Sequence, residues 1–154
     1  MSLEGDRRSL LMNVLVSPEM ANFSGQMHGG DLLKLLDKVA YTCAMRWSGS
    51  YVVTISVDKV LFKEPIHIGE LLTFLAQINY TGSSSMEVGI KVIAENITEG
   101  SVRHTNSCYF TMVALDENKK PQRVPQYKPQ NSADIGRWER AKERRQRNLE
   151  ENNR

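Results

Sequence analysis

The chain has 154 residues, 40% of them hydrophobic and 25% charged, with a formal net charge of +2. That length suits one domain with its own core and excludes two ordinary ones, while the near balance of charge specifies no nucleic-acid partner. No apolar run reaches the roughly 20 residues that cross a bilayer, and the opening MSLEGDRRSLL lacks the apolar centre of a secretory signal, so no membrane role and a cytoplasmic location are expected.

Residues 1–8 read as a flexible terminus or a cloning remnant. A first strand is expected over 9–17 (SLLMNVLVS), ended by Ser17-Pro18, with a loop following through Asn22 and Gly25. From Gly30 to about Trp47, apolar residues recur at helical spacing at Leu32, Leu35, Leu36, Val39, Cys43 and Trp47. Leu33, Ala40 and Ala44 widen that stripe, so the helix should be wrapped by other elements on most sides. After Tyr51 the period becomes two: Val53, Ile55 and Val57 alternate with Thr54, Ser56 and Asp58, and the strand is expected to run to Phe62. Phe74, Ala76, Ile78 and Tyr80 form one face of the next strand, which stops at Thr81-Gly82-Ser83. Met86 to Ala94 alternate in a further strand, and 102–115 form the last, after the turn at Thr98-Glu99-Gly100. Short turns between these strands make neighbours antiparallel. The expected architecture is α+β: about five antiparallel strands over residues 9–128, wrapped around one long helix.

Residues 129–154 read as a charged helical extension. GRWERAKERRQRNLEENNR is polar nearly all round, with Glu143–Arg147 and Arg147–Glu151 at i,i+4 spacing, as in a solvated, salt-bridged helix. The competing reading is a basic arm for nucleotide phosphates; interspersed glutamates make it unlike a DNA-binding stripe. Cys43 and Cys108 have no metal-ligand spacing and read as reduced core thiols.

Chemistry concentrates in NFSGQMHGGDLLKLLDKVA, residues 22–40. Gly29-Gly30 opens the helix, whose first backbone N–H groups are free to hold a phosphate, a carboxylate or a polarised carbonyl oxygen. A tight turn needing positive φ is the alternative reason for the glycines. Asp37 sits two turns inside an apolar helix, either as a carboxylate tuned for chemistry or on a wet edge. About 10 Å of helix separates it from Gly30, beyond direct hydrogen-bond reach. If both belong to one site, two antiparallel copies must share it, which predicts a homodimer with composite sites. His28, His67 and His104 have no common metal-ligand spacing, and no metal is expected.

Asn22-x-x-Gly25-x-x-His28-Gly29-Gly30 followed by Leu35-Leu36-Asp37-Lys38 resembles the opening of the hotdog-fold acyl-CoA thioesterases, in particular the cytosolic long-chain acyl-CoA hydrolases of the single-domain bacterial and two-domain brain types. The likeness continues through VVTISVDKVLFKEPIHIGE (52–70), TGSSSMEVGIKVIAEN (81–96) and YFTMVALDENKKP (109–121). The resemblance implies hydrolysis of fatty acyl-CoA with no cofactor required, coenzyme A being part of substrate and product, in a dimer that assembles into a trimer of dimers. It further implies Asp37 as the carboxylate that activates water or attacks the thioester, Asn22 as the loop asparagine from the facing subunit, Gly29 and Gly30 as the carbonyl-polarising helix start, and Thr54 as a strand hydroxyl that holds the water. The Ser83-Ser84-Ser85 turn with Lys59 and Lys63 would receive the coenzyme A phosphates, unless these are ordinary turn and surface residues. Leu33, Tyr41, Met45 and Phe62 are candidates for the acyl slot. A hydratase of this fold would carry a histidine on the helix; a non-catalytic acyl-CoA-binding regulatory module is the remaining alternative.

Overall fold

The structure is a computed structural model describing residues 6–153, and residues 1–5 of the expected flexible terminus or cloning remnant lie outside the described residues. Its elements are β1 (Ser9–Leu15), a 3-10 turn (Pro18–Met20), α1 (Gly29–Ser48), β2 (Tyr51–Asp58), β3 (Leu71–Thr81), β4 (Ser85–Asn96), β5 (Ser101–Leu115) and α2 (Ser132–Asn152). The five strands form one antiparallel sheet in the order β1-β3-β4-β5-β2, which puts β1 and β2 at its edges.

The core lies between α1 and one face of the sheet. Leu32, Leu36, Val39, Ala40, Cys43 and Ala44 pack against Leu72, Phe74, Ala76 and Ile78 of β3, Val88 and Val92 of β4, and Phe110 and Met112 of β5. Burial pushes the thiols of Cys43 and Cys108 up to about 12, so both stay neutral at physiological pH. The wrapping is one-sided, contrary to the expectation: Leu33 and Met45 are each 40% exposed, and Asp37 is exposed between them. The sheet has only one concave face to offer, so a helix apolar on more than one side keeps a stripe uncovered.

Two bulges correct the expected strand patterns. In β2, Thr54 lies opposite Met112 and Ser56 opposite Thr111, leaving Ile55 outside the ladder. The alternation changes phase there, and Val57 comes to stand opposite buried Phe110 instead of sharing a face with Ile55. The strand ends at Asp58 and not at Phe62, because Lys59 takes φ 54, outside the extended region. In β3, Ile78 faces Val88 and Tyr80 faces Glu87, with Asn79 the extra residue. Tyr80 therefore leaves the core face and stacks obliquely on Trp138 of α2, ring centroids 5.1 Å apart.

The second helix is not simply solvated. It lies on the outer face of the sheet with Ala141 fully buried and Arg144 nearly so. Arg144 donates from Nε and Nη2 to the two oxygens of Glu87 (2.9 and 2.7 Å), and its guanidinium sits 3.6 Å from the Tyr109 ring centroid. Asn79 completes the cluster by donating from Nδ2 to Glu87 Oε1 at 3.2 Å. A polar helix can thus be seated when its arginine matches a sheet carboxylate in forked geometry. Among the described residues the ion pairs of α2 are Arg144–Glu87, Arg137–Asp134 and Arg8–Asp134, rather than the expected Glu143–Arg147 and Arg147–Glu151. Arg8 also donates from Nε to Ile78 O (2.9 Å), so one side chain joins β1, β3 and α2.

Arg144→Ala strands Glu87 without its cation under α2. The loss should be about 3 kcal/mol, a fall in Tm on the order of 10 °C by scanning calorimetry. Pairing Glu87→Gln with Arg144→Met should recover part of it, because no buried charge is then left unmatched.

Candidate active site at the start of the central helix

The first turn of α1 is open at its amino end. His28 caps it in extended conformation without a side-chain hydrogen bond, and His28 N–H is itself spent on Met20 O (2.8 Å). Leu32 N–H is the first to find a helical acceptor, His28 O (3.1 Å). Among the described residues no protein acceptor meets the N–H of Gly29, Gly30 or Asp31, so the positive end of the helix dipole faces outward. Neither Gly29 nor Gly30 has positive φ, which removes the tight-turn reason for the pair. At Gly29 the reason is close approach: a Cβ would lie 3.3 Å from Phe62 Cζ. At Gly30 a Cβ would meet nothing within 4 Å, so packing does not require a glycine there.

Asn22 builds the approach to this turn. Its Oδ1 accepts from Ser24 N–H (2.9 Å) and Gln26 N–H (3.1 Å), an arrangement that curls the loop around Gly25 at φ 76. Those bonds fix the amide orientation and leave Nδ2 to donate elsewhere.

Asp37 and Thr54 are brought together. Thr54 Oγ1 donates to Asp37 Oδ1 at 2.6 Å, across from α1 to the edge strand, immediately before the Ile55 bulge. Both residues are exposed in the single chain. Leu33, Asp37 and Tyr41 follow at four-residue steps along the same uncovered face, and Tyr41 meets the edge of Tyr51 with centroids 6.5 Å apart. Of the residues expected in the acyl slot, Phe62 packs against Gly29 at the helix start.

The residues expected to receive coenzyme A phosphates are split. Ser83 and Ser84 use backbone carbonyls to hold Val124 and Ala114, and Ser85 pairs with Val113 at the far end of β5. Asp58 pairs with Tyr109, Lys59 follows it directly, and Lys63 lines the cavity beside Gly29 at the start of α1. At about 3.3 Å per residue along β5, the turn and the lysines are more than roughly 13 Å apart in this chain.

Sequence reasoning missed what braces the loop carrying Phe62 and Lys63. Arg103 donates from Nη1 to Glu70 Oε2 (2.7 Å), and from Nη2 to Glu70 Oε1 (3.1 Å) and Pro65 O (2.8 Å). Glu70 Oε1 also accepts from His67 N–H at 2.8 Å. The signal was weak, since an isolated glutamate and an arginine 33 positions later carry no spacing rule. Among the described residues no three His, Cys, Asp or Glu side chains are grouped as metal ligands.

A family model described as Thioesterase superfamily matches residues 24–101. Protein VdlD of Helicobacter pylori (strain ATCC 700392 / 26695) is 56% identical over 141 residues, which are 92% of this chain and 80% of that one. Among solved structures, an apo-hexameric acyl-CoA thioesterase superposes with a TM-score of 0.89 at 34% identity, over 94% of this chain and 93% of that one. An acyl-CoA hydrolase from Staphylococcus aureus, in complex with butyryl coenzyme A, coenzyme A and coenzyme A disulfide, has a TM-score of 0.82 at 32% identity, over 94% and 91%. That enzyme has also been solved with alanine replacing an asparagine, an aspartate and a threonine in turn; in chain order those positions are 15 and 17 residues apart, the separations of Asn22, Asp37 and Thr54.

Acid should loosen the Arg103–Glu70 brace. Burial raises the Glu70 carboxyl, but the hydrogen bonds from Arg103 and from His67 N–H outweigh it and hold the group below the usual carboxylate range. The stabilisation is present above the unfolded value of about 4.3 and lost as pH falls through the lower folded value. Thermal melts from pH 5 down to pH 2 should therefore decline more steeply for the wild type than for Glu70→Gln.

Proposed function

The chain belongs to the Thioesterase superfamily and has its hotdog fold, and from that premise we propose that it is an acyl-CoA thioesterase, hydrolysing fatty acyl-CoA to free fatty acid and coenzyme A at sites completed by a second copy of itself. The observation that carries the proposal is the Thr54–Asp37 hydrogen bond of 2.6 Å, set on an exposed helix face two turns from an open helix start. The acyl-CoA hydrolases among the similar structures support the substrate class, and the matched separations of their replaced residues support the choice of Asn22, Asp37 and Thr54.

In this mechanism the thioester carbonyl of one copy's substrate lies against the N–H groups of Gly29 and Gly30. Charge developing on its oxygen meets donors already oriented, an arrangement whose removal costs on the order of 3 kcal/mol in barrier. Asp37 arrives from the facing copy, since about 10 Å of helix keeps it from its own Gly30. The hydroxyl of Thr54 orients the carboxylate, which takes a proton from water or attacks the carbonyl carbon itself. Asn22 donates through Nδ2 to the water or carbonyl. The thiolate of coenzyme A leaves readily, so no general acid is needed and no cofactor is required. A hydratase would need a histidine where the helix carries Asp37, and a binding module without chemistry gives the Thr54–Asp37 bond no purpose.

The composite site accounts for surface that a single copy leaves bare. Beside the edge strand β2, Tyr51 and Ile55 are each 56% exposed, and Leu33 and Met45 flank Asp37. A second copy docked antiparallel along β2 covers this apolar edge, and a trimer of such dimers is the proposed assembly, in keeping with the hexameric state of a similar thioesterase. The proposed setting is the cytoplasm, where the buried Cys43 and Cys108 stay reduced.

Asp37→Ala should lower kcat on acyl-CoA by at least about a hundredfold while circular dichroism and coenzyme A binding are kept; an unchanged kcat removes Asp37 from the mechanism. Chains carrying Asn22→Ala mixed with chains carrying Asp37→Ala should regain up to one working site per dimer, and absence of recovery on verified mixing counts against sharing. Gly30→Ala should hold or raise Tm, because the methyl has room and alanine favours a helix, yet cut kcat by about a hundredfold by displacing the carbonyl.

A further inference from the structure

A third bulge lies in strand β5. Val92 stands opposite Asn106 and Ile93 opposite His104, so Thr105 is the extra residue, and both it and Asn106 turn inward, at 3% and 5% exposure. Thr105 settles its hydroxyl on Val92 O (3.3 Å), and the His104 ring braces the bend through Nε2 contacts to Asn106 O (2.9 Å) and Ser107 Oγ (2.8 Å). Asn106 differs from its neighbours. Its Nδ2 donates to Leu61 O, and among the described residues its Oδ1 is buried with no hydrogen-bond partner. That bond sets the orientation of the amide, because a carbonyl can only accept. An aliphatic side chain of similar size would leave no unpaired acceptor in the core, so the amide stands at a cost to stability and the placing of Leu61 is what it achieves.

The bond reaches the loop that follows β2, residues 59–65. Strand β5 holds this loop at two carbonyls from either side of its bulge. Asn106 takes Leu61 O, and Arg103 takes Pro65 O through Nη2 (2.8 Å) while Glu70 grips its fork. Phe62 follows Leu61 directly. Its ring tip points at Gly29, where a Cβ would lie 3.3 to 3.6 Å from three ring atoms. The two residues line a cavity of about 340 Å³ at the amino end of α1. Phe62 is nevertheless 56% exposed, so burial does not pin the ring in that place; the anchored backbone before it does.

We propose that Asn106 is a positioning residue for the reaction at the helix start: by fixing Leu61 O it holds the Phe62 ring against Gly29, where the ring walls off one side of the open turn. The inference rests on the acyl-CoA thioesterase reading. A free N–H donates to whichever acceptor reaches it, and water competes with a thioester oxygen for the donors of Gly29 and Gly30. An aromatic edge beside Gly29 keeps water from that side and lowers the local dielectric, which strengthens donation to the developing charge. It also narrows the direction from which the carbonyl can approach, and small misplacements of a reacting atom lower the rate steeply. Asn106 touches neither substrate nor reacting atoms; its effect passes through Leu61 and Phe62.

The test is a double-mutant cycle on the assembled protein. Asn106→Leu should keep Tm, since it fills a similar volume and removes the unpaired acceptor, yet lower kcat on acyl-CoA about tenfold with KM within about twofold. Phe62→Ala, at an exposed loop residue, should lower kcat by a similar factor. The double variant should match Phe62→Ala within about twofold, because both changes undo one arrangement. Losses that multiply in the double variant, or an unchanged kcat in either single variant, overturn the proposal, and Phe62→Ala decides it even where Asn106→Leu does not fold. A raised KM with kcat kept overturns it too, since that pattern marks lost substrate binding alone. Hydrogen exchange by mass spectrometry reads the anchoring without substrate: Asn106→Leu should speed exchange over residues 59–65 and leave β4 and α2 unchanged. If the wild type turns over no acyl-CoA, the thioesterase reading has failed; faster exchange at 59–65 then upholds Asn106 as the anchor of the loop, and equal exchange sinks it.

Discussion

A helix advances about 1.5 Å per residue, and that pitch fixes the relation between the two features of α1 on which the proposed chemistry depends. Gly30 presents free N–H groups at the helix start and Asp37 presents its carboxylate two turns on, so no rotamer lets both touch one carbonyl carbon. Lengthening or shortening the sheet would not change this. The remaining features are consistent with a chain that supplies half of two sites: the bulge that sets Thr54 beside Asp37, the curled loop that fixes Asn22, and the uncovered stripe from Leu33 to Met45.

Much of the scaffold was legible because it depends on periodicity. Helical spacing from Leu32 to Trp47 and alternation from Met86 to Ala94 each encode one buried face, and both elements form where that spacing places them. The failures occur where one residue breaks a period. Ile55 and Asn79 are not visibly unlike their neighbours, yet each shifts the phase of its strand, setting Val57 opposite Phe110 while leaving it exposed, and turning Tyr80 outward. Bulges are decided by what packs on both faces at once, which no single strand's pattern contains. Lys59 is similar: nothing about a lysine announces positive φ.

At the candidate site, the residues themselves offered Gly29, Gly30 and Asp37, and a resemblance added Asn22, with Thr54 as its least distinctive part. The coordinates put Thr54 in hydrogen-bond contact with Asp37 and give Gly29 a packing reason in Phe62. The Ser83-Ser84-Ser85 turn and the lysines Lys59 and Lys63, expected together, lie apart once β2 and β4 pair with β5, a separation no local pattern announces, and α2 docks on the outer face of the sheet. That docking was hidden too. A helix with one buried alanine and one buried arginine looks solvated until Glu87 is found beneath it.

The bare edge of β2 also bears on how the protein is made. A nascent copy leaving the ribosome exposes an unpaired strand flanked by Tyr51 and Ile55, the type of ribbon that recruits any neighbour with hydrogen bonds to spare. Its first encounter is safest with an identical sister from the same messenger, so polysome crowding would favour correct pairing over capture by an unrelated chain.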